Sequence, residues 1–167
     1  EKWNGFNFPG PIFLEWKNKM EEAFAFTKYE ISFLECLESI ARKENKSIKS
    51  TYIIAVAGDQ GNDTETITLH ETAHALHWLF DSYRKKMNSY LKKLPKEYIS
   101  RAESNLVGKG YRRDKLKDEM QAYLATDDLK YGIMGLATLK WKEKNTSPFS
   151  VFSDYFKVFC DSKGIKI

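Results

Sequence analysis

The sequence predicts a mostly helical α+β fold, in which a small sheet packs on a long histidine-bearing helix and on a second helix that carries an acidic partner. Three observations predict it. Apolar residues recur at spacings of three and four through most of the chain. One β-branched run stands between turn-forming residues. The 167 residues make about one domain, and a domain of that size buries roughly two-thirds of the surface its unfolded chain exposes. With 42% apolar and 14% aromatic residues the composition excludes a disordered chain, although 30% of it is charged. A single domain is therefore taken to span residues 1–167.

Residues 1–11 place Gly5, Pro9, Gly10 and Pro11 close together and read as an irregular N-terminal arm, with Trp3, Phe6 and Phe8 packing onto the body. Helices are expected over Ile12 to Phe26, where Phe13, Trp16, Met20 and Phe24 form a stripe, and over Glu30 to Arg42, where Phe33, Leu34, Leu37 and Ile40 do. Lys43 to Ser50 is a charged, Ser-containing loop. Thr51 to Ala57 is the expected strand, closed by the turn-forming run Gly58 to Asp63. From Thr64 one long helix is predicted to about Leu94, capped by Asp63 or Thr64 and ended or bent at Pro95. Glu97 to Val107 follows, closed by Gly108 and Gly110. Next come a helix from Arg113 to Asp127, a loop at Tyr131 to Gly135, a polar break at Lys142 to Pro148, and a terminal helix from Phe149 to Cys160. Cys36 and Cys160 lie in apolar helical segments and are expected as buried free thiols.

Lys and Arg exceed Asp and Glu by four, and the excess is spread along the chain. The pairs Lys85-Lys86, Lys92-Lys93 and Arg112-Arg113 read as solvated helix faces, so nucleic acid is not an expected partner. Ile53 to Ala57 is far shorter than the roughly 20 residues of a membrane helix, and no membrane span is expected. The chain begins at Glu1 rather than Met, which leaves room for a trimmed leader. Localisation stays open, with the cytoplasm as the working expectation. The oligomeric state is also open.

All three histidines, His70, His74 and His77, fall within eight residues of the long helix, the first two of them in the motif His70-Glu71-Thr72-Ala73-His74. Residues four apart on a helix project side by side about 6 Å apart, so His70 and His74 can bind one zinc ion together. Glu71 lies about 100° around from His70, beside such an ion, where its carboxylate can take a proton from water as general base. His77 stands seven residues beyond His70, roughly 10.5 Å along the axis, too far to share that ion, and is read as a histidine beneath the site.

A catalytic zinc takes three protein ligands and leaves one position open. With no histidine left, the third must be a carboxylate or, less often, a thiolate. Glu119, on a separate helix 45 residues past His74, is the best candidate. Ala122 is small enough to let the two helices close around an ion, and Tyr123 shares a face with Glu119. Asp118 either holds a ligand histidine through its other ring nitrogen or is a solvated neighbour.

The pairing of His70-Glu71-Thr72-Ala73-His74 with a downstream helical Glu resembles the gluzincin class of HExxH zinc metallopeptidases over roughly residues 51–126. In that class an Asn precedes the ligand Glu and a Ser-Asp pair follows it; here Asp118 and Ala122-Tyr123 stand there, which implies a divergent, minimal member. The metzincin pattern requires a Gly at His77 and a His at Phe80 and fails. The run through Ala75 and Trp78 also resembles the SprT and Spartan proteases, which act near DNA, but their third, downstream His is missing.

The gluzincin resemblance implies a zinc hydrolase, with Zn2+ held by His70, His74 and Glu119, Glu71 as general base and a peptide or protein substrate. A developing oxyanion needs a donor, and Tyr123, Tyr111 and Tyr131 are the candidates, Tyr123 first among them. The resemblance further implies that the strand Thr51 to Ala57 can hold an extended peptide along its edge. Three other readings stay open on the residues alone: a zinc-binding recognition module without catalysis, a zinc hydrolase of a non-peptide substrate, and a DNA-associated protease. Iron is the alternative metal for two His and one carboxylate.

Overall fold

The computed structural model of the protein describes residues 5–23, 25–57, 63–126, 134–136 and 148–167. Strand β1 (Gly5–Pro9) leads directly into helix α1 (Gly10–Glu22), followed by α2 (Lys28–Lys43), a 3-10 turn at Ile48–Ser50 and strand β2 (Tyr52–Val56). Five helices complete the described chain: α3 (Asp63–Leu79), α4 (Asp81–Leu91), α5 (Lys96–Gly108), α6 (Leu116–Ala125) and α7 (Ser150–Ser162). The fold is mostly helical α+β with a two-stranded antiparallel sheet, as the sequence predicts. Trp3, Phe24, Tyr131 and the run 58–62 lie outside the described residues.

The N-terminal arm is not irregular. Residues Gly5–Pro9 form β1, paired with β2 so that Asn7 faces Ile54 and Phe8 faces Ile53. Its Pro and Gly content argues against a strand only for a central one; on an outer strand a terminal Pro9 costs no ladder hydrogen bond. The side chains alternate between two faces. Phe8 and Ile53 turn to a small core with Phe13, Trp16, Phe33 and Leu34, while Asn7 and Tyr52 turn towards α3. Gly10 makes the corner between β1 and α1: its N–H donates to Thr51 O at 2.9 Å, and a Cβ there would stand 1.7 Å from Ile48 O. Only glycine fits that approach.

Helix α2 opens with a reciprocal capping box, Thr27 accepting from the Glu30 N–H and Glu30 accepting from the Thr27 N–H. Its inner face carries Phe33, Leu34 and Leu37. Cys36 lies about 200° around from Leu34 and is exposed, contrary to the expected burial, whereas Cys160 is buried as expected.

The long helix predicted from Thr64 to Leu94 is two helices. At Phe80 the backbone is extended (φ −120°, ψ 108°), and α4 restarts at Asp81. No Gly or Pro marks the break, and its causes are tertiary. The Phe80 ring packs edge-on against Phe159 of α7, 5.3 Å between centroids. The Arg84 guanidinium donates to the carbonyls of His77 and Trp78, satisfying the last turn of α3. Below the break lies the larger core, where Leu76, Tyr83, Met87, Leu106, Leu124, Phe152 and Phe156 bring α3 to α7 together. Each such side chain contributes about 1.5–3 kcal/mol on burial, so the helical part outweighs the small core under the sheet. No helix of the described residues is long and apolar enough to cross a membrane.

Candidate metal centre

Helix α3 presents His70 and His74 one turn apart, and α6 crosses it with Glu119. Ala73 and Ala122 are both fully buried, and their small side chains leave room for the two backbones to meet. His70 Nε2 and His74 Nε2 stand 3.2 Å apart. Glu119 Oε2 lies 3.6 Å from the first and 3.5 Å from the second. Ligand atoms bound about 2.0–2.1 Å from a tetrahedral zinc stand about 3.3 Å from one another. The three donor atoms already form that triangle. Two imidazoles and one carboxylate are also a donor set that suits zinc and leaves a coordination position open, so these residues fit the ion.

Behind the triangle, Asp118 Oδ1 lies 3.0 Å from His74 Nδ1. This contact fixes the His74 ring through Nδ1 and leaves Nε2 facing His70 and Glu119. Asp118 therefore holds His74, one of the candidate ligands, by its other ring nitrogen. The same oxygen lies 3.2 Å from His77 Nδ1, so His77 sits beneath the site and outside the triangle. Gln121 is a buried residue that the sequence reading passed over. Its amide donates to Asp118 at 3.2 Å and to the Ala73 carbonyl at 3.3 Å, tying α6 to α3.

Burial alone would hold His74 neutral, but the carboxylates of Asp118 and Glu119 outweigh it and raise its pKa well above the ordinary imidazole range. Burial likewise works against ionised Glu119 and Asp118, and the neighbouring histidines overcome it and hold both carboxyls below their usual range. His77 moves the other way: its own burial lowers it, Arg84 and His74 add to that, and Asp118 opposes. Replacing Asp118 by Ala is expected to weaken zinc binding about 10–100-fold, measured by competition with a chromophoric chelator. Unchanged affinity would deny Asp118 its orienting role.

Glu71, next to His70 on α3, is 8% exposed. Its Oε2 accepts from Asn7 Nδ2 of β1, and Asn7 Oδ1 accepts from the Tyr52 hydroxyl of β2. Neither Asn7 nor Tyr52 was found from sequence. The available signals were a lone amide between Phe6 and Phe8, and a Tyr on the same strand face as Ile54. Tyr52 is pushed up by burial and then by the charges of Asp118, Glu71 and Glu119, which places its hydroxyl in the field of all three.

Of the tyrosines expected near the site, Tyr123 lays its ring on His70, 4.3 Å between centroids. Its hydroxyl shares a 2.6 Å hydrogen bond with that of Tyr111. Tyr111 is raised by burial, against the Tyr123 hydrogen bond, and by Glu119 and Glu71, so it too faces the acidic groups. Tyr131 lies outside the described residues. Trp78 is 40% exposed and rests on the Tyr52 ring, 5.9 Å between centroids, so it buttresses the sheet. One edge of β2, expected to be open to a peptide, is taken by β1. A scan of the chain against family models finds no match, and neither the curated proteins nor the solved structures contain one.

Proposed function

We propose that the chain is a zinc-dependent hydrolase, a metallopeptidase that cleaves peptide bonds with Glu71 as general base. The observation that carries this reading is the three-donor triangle of His70, His74 and Glu119, with Glu71 next to His70 on α3 and not among the three donors. A site that only held a structural ion would close with four ligands and would have no use for Glu71. A zinc ion bound there supplies a Lewis acid and lowers the pKa of its water towards about 7. Glu71 takes a proton from the attacking water and delivers it to the leaving amine. The Tyr111–Tyr123 pair is the candidate donor to the oxyanion that develops on the scissile carbonyl, with Tyr123 set directly against His70.

The test is cleavage of a quenched fluorescent peptide library by protein carrying one zinc per chain, followed by removal of the metal with a chelator and its return. Cleavage that disappears with the metal and comes back with it supports the reading. A zinc-loaded protein that cleaves no peptide in the library would overturn it.

A further inference from the structure

A general base must do two things at once: remain ionised, and hold one oxygen towards the water it deprotonates. Glu71 has several rotatable bonds, and helix α3 fixes only its Cβ. What fixes the carboxylate comes from the sheet. Asn7 Nδ2 donates to Oε2, and among the described residues no hydrogen bond is made to Oε1. The Asn7 amide is itself held, because its Oδ1 accepts from the Tyr52 hydroxyl. The Tyr52 ring is pinned against Trp78. Asn7 and Tyr52 share one face of the sheet through the register that pairs Asn7 with Ile54 and Pro9 with Tyr52. In a strand otherwise lined by Phe6 and Phe8, an inward amide packs no apolar surface, and its two hydrogen bonds account for its presence.

From this geometry we propose that Asn7 is the positioning residue of Glu71, and that Tyr52 orients Asn7. The inference rests on the hydrolase reading and extends it: the base is aimed by the sheet and the metal is held by the helices. No proton passes through the relay. The Tyr52 hydroxyl and the Asn7 amide donate to fixed acceptors throughout, and the reacting proton moves only between water, Glu71 Oε1 and the leaving amine.

Two measurements test it. In 15N-labelled, metal-free protein, the Asn7 side-chain amide protons are expected downfield of the usual Asn position, and Glu71→Gln should return them towards it. In zinc-loaded protein acting on a peptide the wild type cleaves, Asn7→Ala should lower kcat about 10²-fold. KM and zinc content should hold. Tyr52→Phe should lower kcat roughly tenfold, and that loss should vanish when Asn7 is already Ala, because the hydroxyl acts only through the amide. An amide resonance indifferent to Glu71→Gln, an unchanged kcat in Asn7→Ala, or additive effects in the double variant would each overturn the inference while leaving the hydrolase standing. A wild type that cleaves no peptide overturns the hydrolase reading and the positioning role with it.

Discussion

Glu71→Gln is expected to keep one zinc per chain and to lose about 10²–10⁴-fold in kcat/KM, the range a positioned general base contributes. The substitution is nearly isosteric and Glu71 is outside the donor triangle, so the three ligand atoms and their 3.2–3.6 Å spacing are untouched. The amide oxygen can still accept from Asn7, but it cannot take a proton from water. A loss of 10³ corresponds to about 4 kcal/mol of transition-state stabilisation. Steady-state kinetics with parallel metal analysis separates the cases. If zinc leaves with the carboxylate, Glu71 is a ligand; if activity persists, the base is another group.

The second large effect concerns Glu119. For a ligand that binds only the folded state, zinc at 100 times its Kd adds about 2.7 kcal/mol to stability. In a chain of 167 residues that is a Tm rise of roughly 5–10 °C. Glu119→Ala is expected to abolish most of this rise and to leave the protein without zinc on purification. The effect carries a pH signature. His74 is raised above its ordinary value, so it is protonated in the metal-free protein throughout the range below that raised pKa. Zinc must displace that proton. Across pH 6 to 8 the apparent affinity of the wild type should therefore climb with pH, by up to about tenfold per unit. Thermal scans at fixed zinc check both points, and an undiminished rise in Glu119→Ala would remove Glu119 from the ligand set.

The pairing of His70 with His74 was legible in the sequence because helical spacing is local. His70 and His74 share a face by virtue of a four-residue separation alone. Glu119 followed from the shortage of histidines and from the small Ala122 beside it. Asn7 and Tyr52 were not legible: they reach Glu71 through a strand register that joins positions 64 and 45 residues apart, and no local period announces such a pairing. Pro9 and Gly10 disguised β1 further, because they mark a turn in isolation and a strand-to-helix corner in the fold. The break at Phe80 was hidden for a related reason. It is made by Phe159 and Arg84, not by a helix-breaking residue. Cys36 was misplaced by reading an apolar neighbourhood where only the angle around α2 decides burial.

The division of the core into two unequal clusters also has a kinetic side. His70, His74, Asp118 and Glu119 stand on helices that share the large cluster, whereas β1 and β2 belong to the small one. Helices α3 to α6 meet through short connections, but β1 must close a long loop before it touches α3. On refolding, contacts of that kind come late. The triangle of His70, His74 and Glu119 should thus assemble first, before Asn7 reaches Glu71.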